Sequence, residues 1–256
     1  MKNKRKNLSP GTLLAPIPPA MVTVGDFDNA NVLAIAWTGI LATQPPKTYI
    51  SVRPSRHSYK MLREGGEFVI NLPSSDMARQ VDFVGIYTGA KMDKFERCGL
   101  TKQRSEKVSA PTIAECPIAL ECRVCEVLSM GSHDVFMADI VSVSCREDIL
   151  DENGKMRFDR ADLLAYAHGE YYTLGEVVGR FGFSTDKKKS EEKKSASKPA
   201  TKKVEEKKPA QRSSGKGTAE KKKPFYESAP KSKRPKRKPT DKNKGAPHGR
   251  RTVEKK

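Results

Sequence analysis

Thr48-Tyr49-Ile50-Ser51-Val52-Arg53-Pro54-Ser55-Arg56-His57-Ser58-Tyr59 runs an alternating, β-branched strand straight into a cluster of arginines, a histidine and hydroxyl side chains. Tyr59-Lys60-Met61-Leu62-Arg63 then reads as a short helix, and Gly65-Gly66 ends it. Backbone N–H groups at a helix start, together with guanidinium forks, make a cup for phosphate. The segment therefore predicts a strand whose end holds a phosphorylated small molecule. The plainer alternative is a solvated strand-to-helix turn, with Ser55 or Ser58 serving only as an N-cap.

Working outward, Ala20 to Gly25 reads as a strand and Asp26 to Asn31 as a turn rich in Asx side chains. Val32 to Trp37 is apolar throughout, which predicts a strand buried on both faces or in a barrel. Gln44-Pro45-Pro46-Lys47 is a stiff connector, and Glu67 to Leu72 is another strand. Ser75 is the expected N-cap of a helix through Val84, followed by a glycine-containing loop over 85–90. Two long strands follow, from Ile118 and over His133 to Ser144, with a hairpin at Met130-Gly131-Ser132. Many short strands, few helices and frequent turns predict an all-β, β-rich barrel with Greek-key-like connections and small helical insertions. A doubly wound sheet would need strands alternating with long helices. No G-x-G-x-x-G follows a strand and no Walker motif is present, so any nucleotide is held by other means.

Charge divides the 256 residues sharply. Residues 185–256 hold 27 Lys and Arg against 9 Asp and Glu, whereas residues 1–184 hold 22 of each. The whole excess of +18 thus belongs to the last 72 residues, whose only aromatics are Phe225 and Tyr226. Such a segment cannot bury enough apolar surface to offset the entropy of ordering, so it is expected to be disordered. The expected organisation is a basic, disordered N-terminus at 1–8, one folded domain at 9–184 and a Lys/Pro-rich tail at 185–256. A polycation of this kind binds RNA and other polyanions weakly and without sequence choice, unless it serves only to solubilise the chain. No apolar run approaches the roughly 20 residues of a membrane helix. Prolines at 10, 16, 18 and 19 interrupt the segment after the basic start, so no signal peptide is expected. Five cysteines without a disulfide-like framework suit a reducing compartment, and a cytoplasmic location is expected.

Several chemistries are excluded. Cys122 and Cys125 lie three apart on a strand, point to opposite faces and cannot chelate one ion. No Ser-His-Asp arrangement or carboxylate pair points to a hydrolase. What remains converges on an anion and a flat ring. Arg53, Arg56 and Ser58 suit phosphate, and Thr88-Gly89 with Asp93-Lys94 offers a second wall for it. Trp37-Thr38-Gly39 ends the apolar strand, and the glycine lets backbone approach a ring closely. His133, at the start of a strand, reaches either a ligand face or a core partner. His168 and Glu170, in a turn beside Tyr171-Tyr172, carry the same two readings.

In these blocks the chain resembles the flavin reductase-like family, in its flavoredoxin branch. The resemblance rests on Asn31 to Gly39, Pro45-Pro46 through Pro54, Arg56 to Tyr59, and Gly66 to Leu72. It continues through Thr88-Gly89, Asp93-Lys94-Phe95, Glu115-Cys116-Pro117 and Gly131 to Asp134, covering about Ser9 to Ser184. It implies the FMN-binding split β-barrel fold and a homodimer with FMN near the subunit interface. It implies Asn31 as a further cofactor contact, and backbone around Ala36, Trp37, Thr38, Ile50, Ser51 and Val52 along the isoalloxazine. It implies Arg53, Ser58, Tyr59, Thr88, Gly89 and Lys94 at the phosphate. Ala34 stands where relatives often carry a hydroxyl residue, and Thr88 where serine is usual.

The expected activity is electron transfer from NADH or NADPH to flavin or a downstream acceptor, with His133 over the open flavin face and a hydride passed to the ring. One alternative is an electron carrier without a nicotinamide site, docking on redox protein partners. Another is a polyanion-binding protein acting through its tail.

Overall fold

The computed structural model describes residues 4–185, and the expected disordered tail with its polyanion role lies outside them. Eleven strands and three α-helices follow in chain order among the described residues. They are β1 (Ala20–Val24), β2 (Asn31–Ile35), β3 (Thr38–Thr43), β4 (Pro46–Val52), α1 (His57–Gly65), β5 (Glu67–Leu72), α2 (Ala78–Ile86) and α3 (Lys94–Cys98). Then come β6 (Lys102–Gln103), β7 (Thr112–Ile113), β8 (Ile118–Ser129), β9 (Asp134–Cys145), β10 (Leu164–Ala167) and β11 (Glu170–Thr173).

Seven strands form one antiparallel sheet in the order β2-β1-β5-β8-β9-β4-β3. Its two edges, β2 and β3, are consecutive in the chain and separated only by Ala36 and Trp37. Two residues span at most about 7 Å, so the sheet has to curl until its edges meet. The result is a barrel, and the Ser51 N–H donating to the Trp37 carbonyl at 3.0 Å pins the crossover to β4. The fold is the split β-barrel that the sequence predicts.

Strand parity fills the interior. Ala20, Val22 and Val24 of β1 meet Leu33, Ile35, Ile50, Val52, Phe68, Ile70 and Phe136 inside. The intervening Met21, with Val32, faces outward and is covered by Val81, Val84 and Phe95 of α2 and α3. β1 and β2 are therefore buried on both faces, which explains their unbroken apolar runs. α1 closes one end of the barrel by inserting Leu62, and Gly66 stops it in the left-handed region at φ 64° with its N–H on the Leu62 carbonyl.

Three local features depart from expectation. β3 has no counterpart in the sequence reading, because a bulge between Ile40 and Ala42 breaks its alternation. The connector at Pro46 is instead the start of β4, and only Gln44 and Pro45 turn the chain. Ser75 does not cap α2: its hydroxyl donates to Asp162, and a 3₁₀ turn over Ser75–Met77 precedes the helix. As expected, Cys122 and Cys125 part company, the first buried inside the barrel and the second exposed. Among the described residues no helix is long and apolar enough to cross a membrane.

Phe136 is wholly buried in the interior. Phe136→Ala is expected to cost about 3–5 kcal/mol in urea unfolding. A cost below about 1 kcal/mol would mean that the interior is not packed as described.

Candidate functional site

The end of β4, the start of α1, the start of β2 and the loop between α2 and α3 converge on a cavity of about 220 Å³. Arg53, Ser58, Thr88, Gly89, Asn31 and Lys94 all line it. A second, flatter cavity of about 140 Å³ adjoins it, bounded by Ala36, Trp37, Ser51, Val52 and His133. Ala34, Arg53 and Arg56 border both, so the two form one continuous groove with a cup at one end and a slot at the other.

The cup is a set of donors. α1 begins at His57 with no capping side chain and no acidic residue in its first turn, leaving helix-start N–H groups for an anion. Asn31 Nδ2 donates to Ser58 Oγ at 2.7 Å, so the Ser58 hydroxyl hydrogen is free to point at a ligand. Gly89 is required for this approach: a Cβ there would lie 2.2 Å from Asn31 Oδ1. Lys94 is only 3% exposed. Its ammonium donates to the carbonyls of Val32 at 2.7 Å and Val84 at 2.9 Å, tying β2 to α2 with one N–H left over. Burial, reinforced by the charge of Arg56, lowers its pKa to about 8. Arg56 itself donates to the Gly85 carbonyl at 3.0 Å. No Asp or Glu lines either cavity among the described residues.

The slot is aromatic on one side. The rings of Trp37 and His133 lie 4.6 Å apart at 44°. Arg53 Nε donates to His133 Nε2 at 3.3 Å, which assigns the ring proton to Nδ1, 2.9 Å from Ser132 Oγ. Burial, then Arg53 and Arg56, lower the His133 pKa, so the ring is neutral at pH 7. Gly85 packs close to Ala34 at the groove's wall, where a Cβ would come within 3.2 Å of the Ala34 methyl.

Of the residues singled out from sequence, the structure gathers Asn31, Arg53, Ser58, Thr88, Gly89 and Lys94 at the cup. It gathers Ala36, Trp37, Ser51, Val52 and His133 at the slot. Three line neither cavity. Thr38 turns its hydroxyl to the Tyr49 carbonyl at 2.6 Å. Ile50 points into the barrel. Tyr59 packs edge-on against Phe136 and donates its hydroxyl to Asp134. His168 is the left-handed turn residue of the β10–β11 hairpin, at φ 46°, away from the groove. The wall contributed by Val84, Gly85 and Tyr87 is missing from the sequence reading. Its signal was Gly85, which the sequence reading puts in the loop after Val84 and the structure places inside α2, where the helix runs on to Ile86.

Comparison with known proteins gives this geometry a family. The flavin reductase like domain matches residues 14–175, and the chain belongs to that family. Flavoredoxin of Desulfovibrio vulgaris (Miyazaki F) is 32% identical and superposes with a TM-score of 0.67, over 71% of this chain and 100% of that one. Flavoredoxin from Methanosarcina acetivorans is 26% identical, also at 0.67, over 72% of this chain and 98% of that one. An uncharacterised protein of Pyrococcus abyssi is 30% identical over 168 residues, which is 66% of this chain and 96% of that protein.

A donor cup of this kind predicts stabilisation by small dianions. Millimolar inorganic phosphate is expected to raise the thermal midpoint above that in chloride at equal ionic strength. Gly89→Ala is expected to remove most of that increment, because Asn31 has to give way. Equal protection in both proteins would place the anion elsewhere.

Proposed function

We propose that this protein is an FMN-dependent oxidoreductase that takes electrons from NADH or NADPH and passes them to a flavin or a downstream acceptor. The observation that carries the reading is the junction of cup and slot at Arg53 and Arg56. FMN joins a dianionic phosphate to a flat ring, and the groove joins an acid-free set of donors to an aromatic-sided cleft. The uncapped start of α1, the close Gly89 approach and the leftover Lys94 N–H all fit a phosphate. Bound there, FMN supplies reversible electron and hydride acceptance.

The chain's own residues bind and orient. Arg53 spans both ends of the groove, one edge toward the cup and its Nε on His133. Neutral His133 and Trp37 bound the slot, where the nicotinamide of a donor would be seated, and His133 is the residue placed to touch it. Lys94, Ser58 and the helix start neutralise the phosphate. The protein is further read as a homodimer, supported by the exposed apolar pair Ile40 and Leu41 on β3, next in the chain to the slot. Similarity to flavoredoxin at 32% identity favours a second reading, a carrier without a nicotinamide site that serves redox protein partners.

The experiment is a visible spectrum of the purified protein, then anaerobic NADH and NADPH. A flavin spectrum that bleaches promptly supports the reductase, and one that stays oxidised until dithionite is added supports the carrier. A colourless protein that ignores added FMN would sink both.

A pH series tests the cup. The phosphate raises the Lys94 pKa again, so binding takes up a proton once the free lysine, with its pKa of about 8, has begun to lose its own. FMN affinity is therefore expected to fall above pH 8, by up to about tenfold per unit. Lys94→Met should bind more weakly at pH 7 and lose this dependence. An unchanged slope in the variant would remove Lys94 from the phosphate site.

A further inference from the structure

Residues 174–185 follow β11 and are exposed without interruption. Their side chains are not those of a solvated strap. Leu174, Val177, Val178, Phe181 and Phe183 are all large and apolar, with Val178 95% exposed and Phe181 wholly so. Over 174–180 the backbone has no regular structure, and turns at the Phe183 N–H to Arg180 and the Thr185 N–H to Gly182 double it back. Phe183 folds over Gly179, where a Cβ would meet its ring at 2.8 Å. Five such side chains leave on the order of 600 Å² of apolar surface in water. That amount is at the upper end of what monomers leave open, and such surfaces are commonly interaction sites.

The same chain carries a surface of matching chemistry. The bulge in β3 leaves Leu41 without a partner across the ladder, and Ile40 and Leu41 are both exposed on this sheet edge. They form an apolar lip on β3, three and four residues beyond Trp37 in the chain. The arm does not cover its own lip, since both remain exposed. It leaves the fold beside α2 instead, where Tyr171 donates to Asp82 at 3.3 Å. Seven extended residues reach about 23 Å, enough to cross to a neighbouring molecule.

We infer that the segment 174–183 is an exchange arm that docks on the β3 lip, at Ile40 and Leu41, of a second copy of this chain. This deepens the homodimer reading and rests on it. Arm and lip lie on one chain, so a two-fold axis satisfies both contacts at once and closes the assembly. Two fully covered arms would withdraw about 1,200 Å² from water, the size at which stable interfaces begin. The arm's charges, Glu176 and Arg180, balance, so no net charge opposes its burial.

The test uses the full chain and two double substitutions, Val178→Asp with Phe181→Asp in the arm and Ile40→Asp with Leu41→Asp in the lip. All four side chains are exposed, so neither protein should lose its fold, which circular dichroism checks. Light scattering over a dilution series measures association, and hydrogen exchange reads segments 174–183 and 38–43. The wild type is expected to be a dimer with both segments protected. Each variant should raise the dissociation constant at least about 100-fold, with both segments exchanging faster. Mixing the two variants should restore some dimer, through the one intact arm on the one intact lip. Variants that dimerise like the wild type would overturn the arm and leave the homodimer standing, whereas a monomeric wild type would remove both. Dissociation of the arm variant alone would overturn the lip as its receptor.

Discussion

Ala36 and Trp37 join the two edges of a seven-stranded sheet, and the rest of the architecture follows from that short bridge. Because β2 and β3 are so tightly linked, the sheet closes, and its inner face becomes a core filled from every strand. The same closure fixes the mouth of the slot. The Ser51 N–H holds the Trp37 carbonyl against β4. Its ring is left half-exposed over the gap between β2 and β4, where His133 meets it from the β8–β9 hairpin. A longer connection would let the edges separate and the slot dissolve.

The cup is set by a different constraint, a tight chain of small contacts. Asn31 opens β2, Ser58 opens the first turn of α1 and Gly89 lies between α2 and α3. These three elements can approach only because one residue has no side chain and another is an amide able to donate. Lys94 stitches the same region by holding carbonyls from β2 and α2. A buried ammonium is costly without a counter-charge, and carbonyl dipoles offset only part of that cost. The lowered pKa registers the shortfall. The cup thus gathers donors and a buried cation without an acidic partner, within a domain whose own charges balance to zero.

Much of this was legible because local rules and the fold agree. Thr48 to Val52 alternates on a half-buried strand, Gly66 stops a helix where a left-handed residue is needed, and Met130-Gly131-Ser132 turns a hairpin. The misses arise where tertiary structure overrides the pattern. β3 hides behind a bulge whose extra residue, Leu41, no periodicity announces. The resemblance implies Tyr59 at the phosphate, yet helical geometry turns it about 100° from Ser58, onto Phe136 and Asp134. Ile50 sends its side chain into the barrel, so of the expected backbone contacts on β4 only Ser51 and Val52 border the slot. The α2 wall depends on how a helix end packs against Ala34, which only the assembled barrel decides.

Electrostatics separates the two ends of the groove in a way that neither alone explains. Arg53 and Arg56 border both, so the positive field of the cup extends into the slot. There it adds to burial, the larger cause, in opposing protonation of His133, whose Nε2 accepts from Arg53. A charged imidazolium in that position would repel the guanidinium beside it and lose its acceptor role. Keeping His133 neutral leaves an uncharged aromatic surface against Trp37, suited to a flat ring rather than to a second anion. Burial, with the same arginines behind it, therefore keeps the His133 ring neutral, and the slot sets two guanidinium groups beside an uncharged aromatic side.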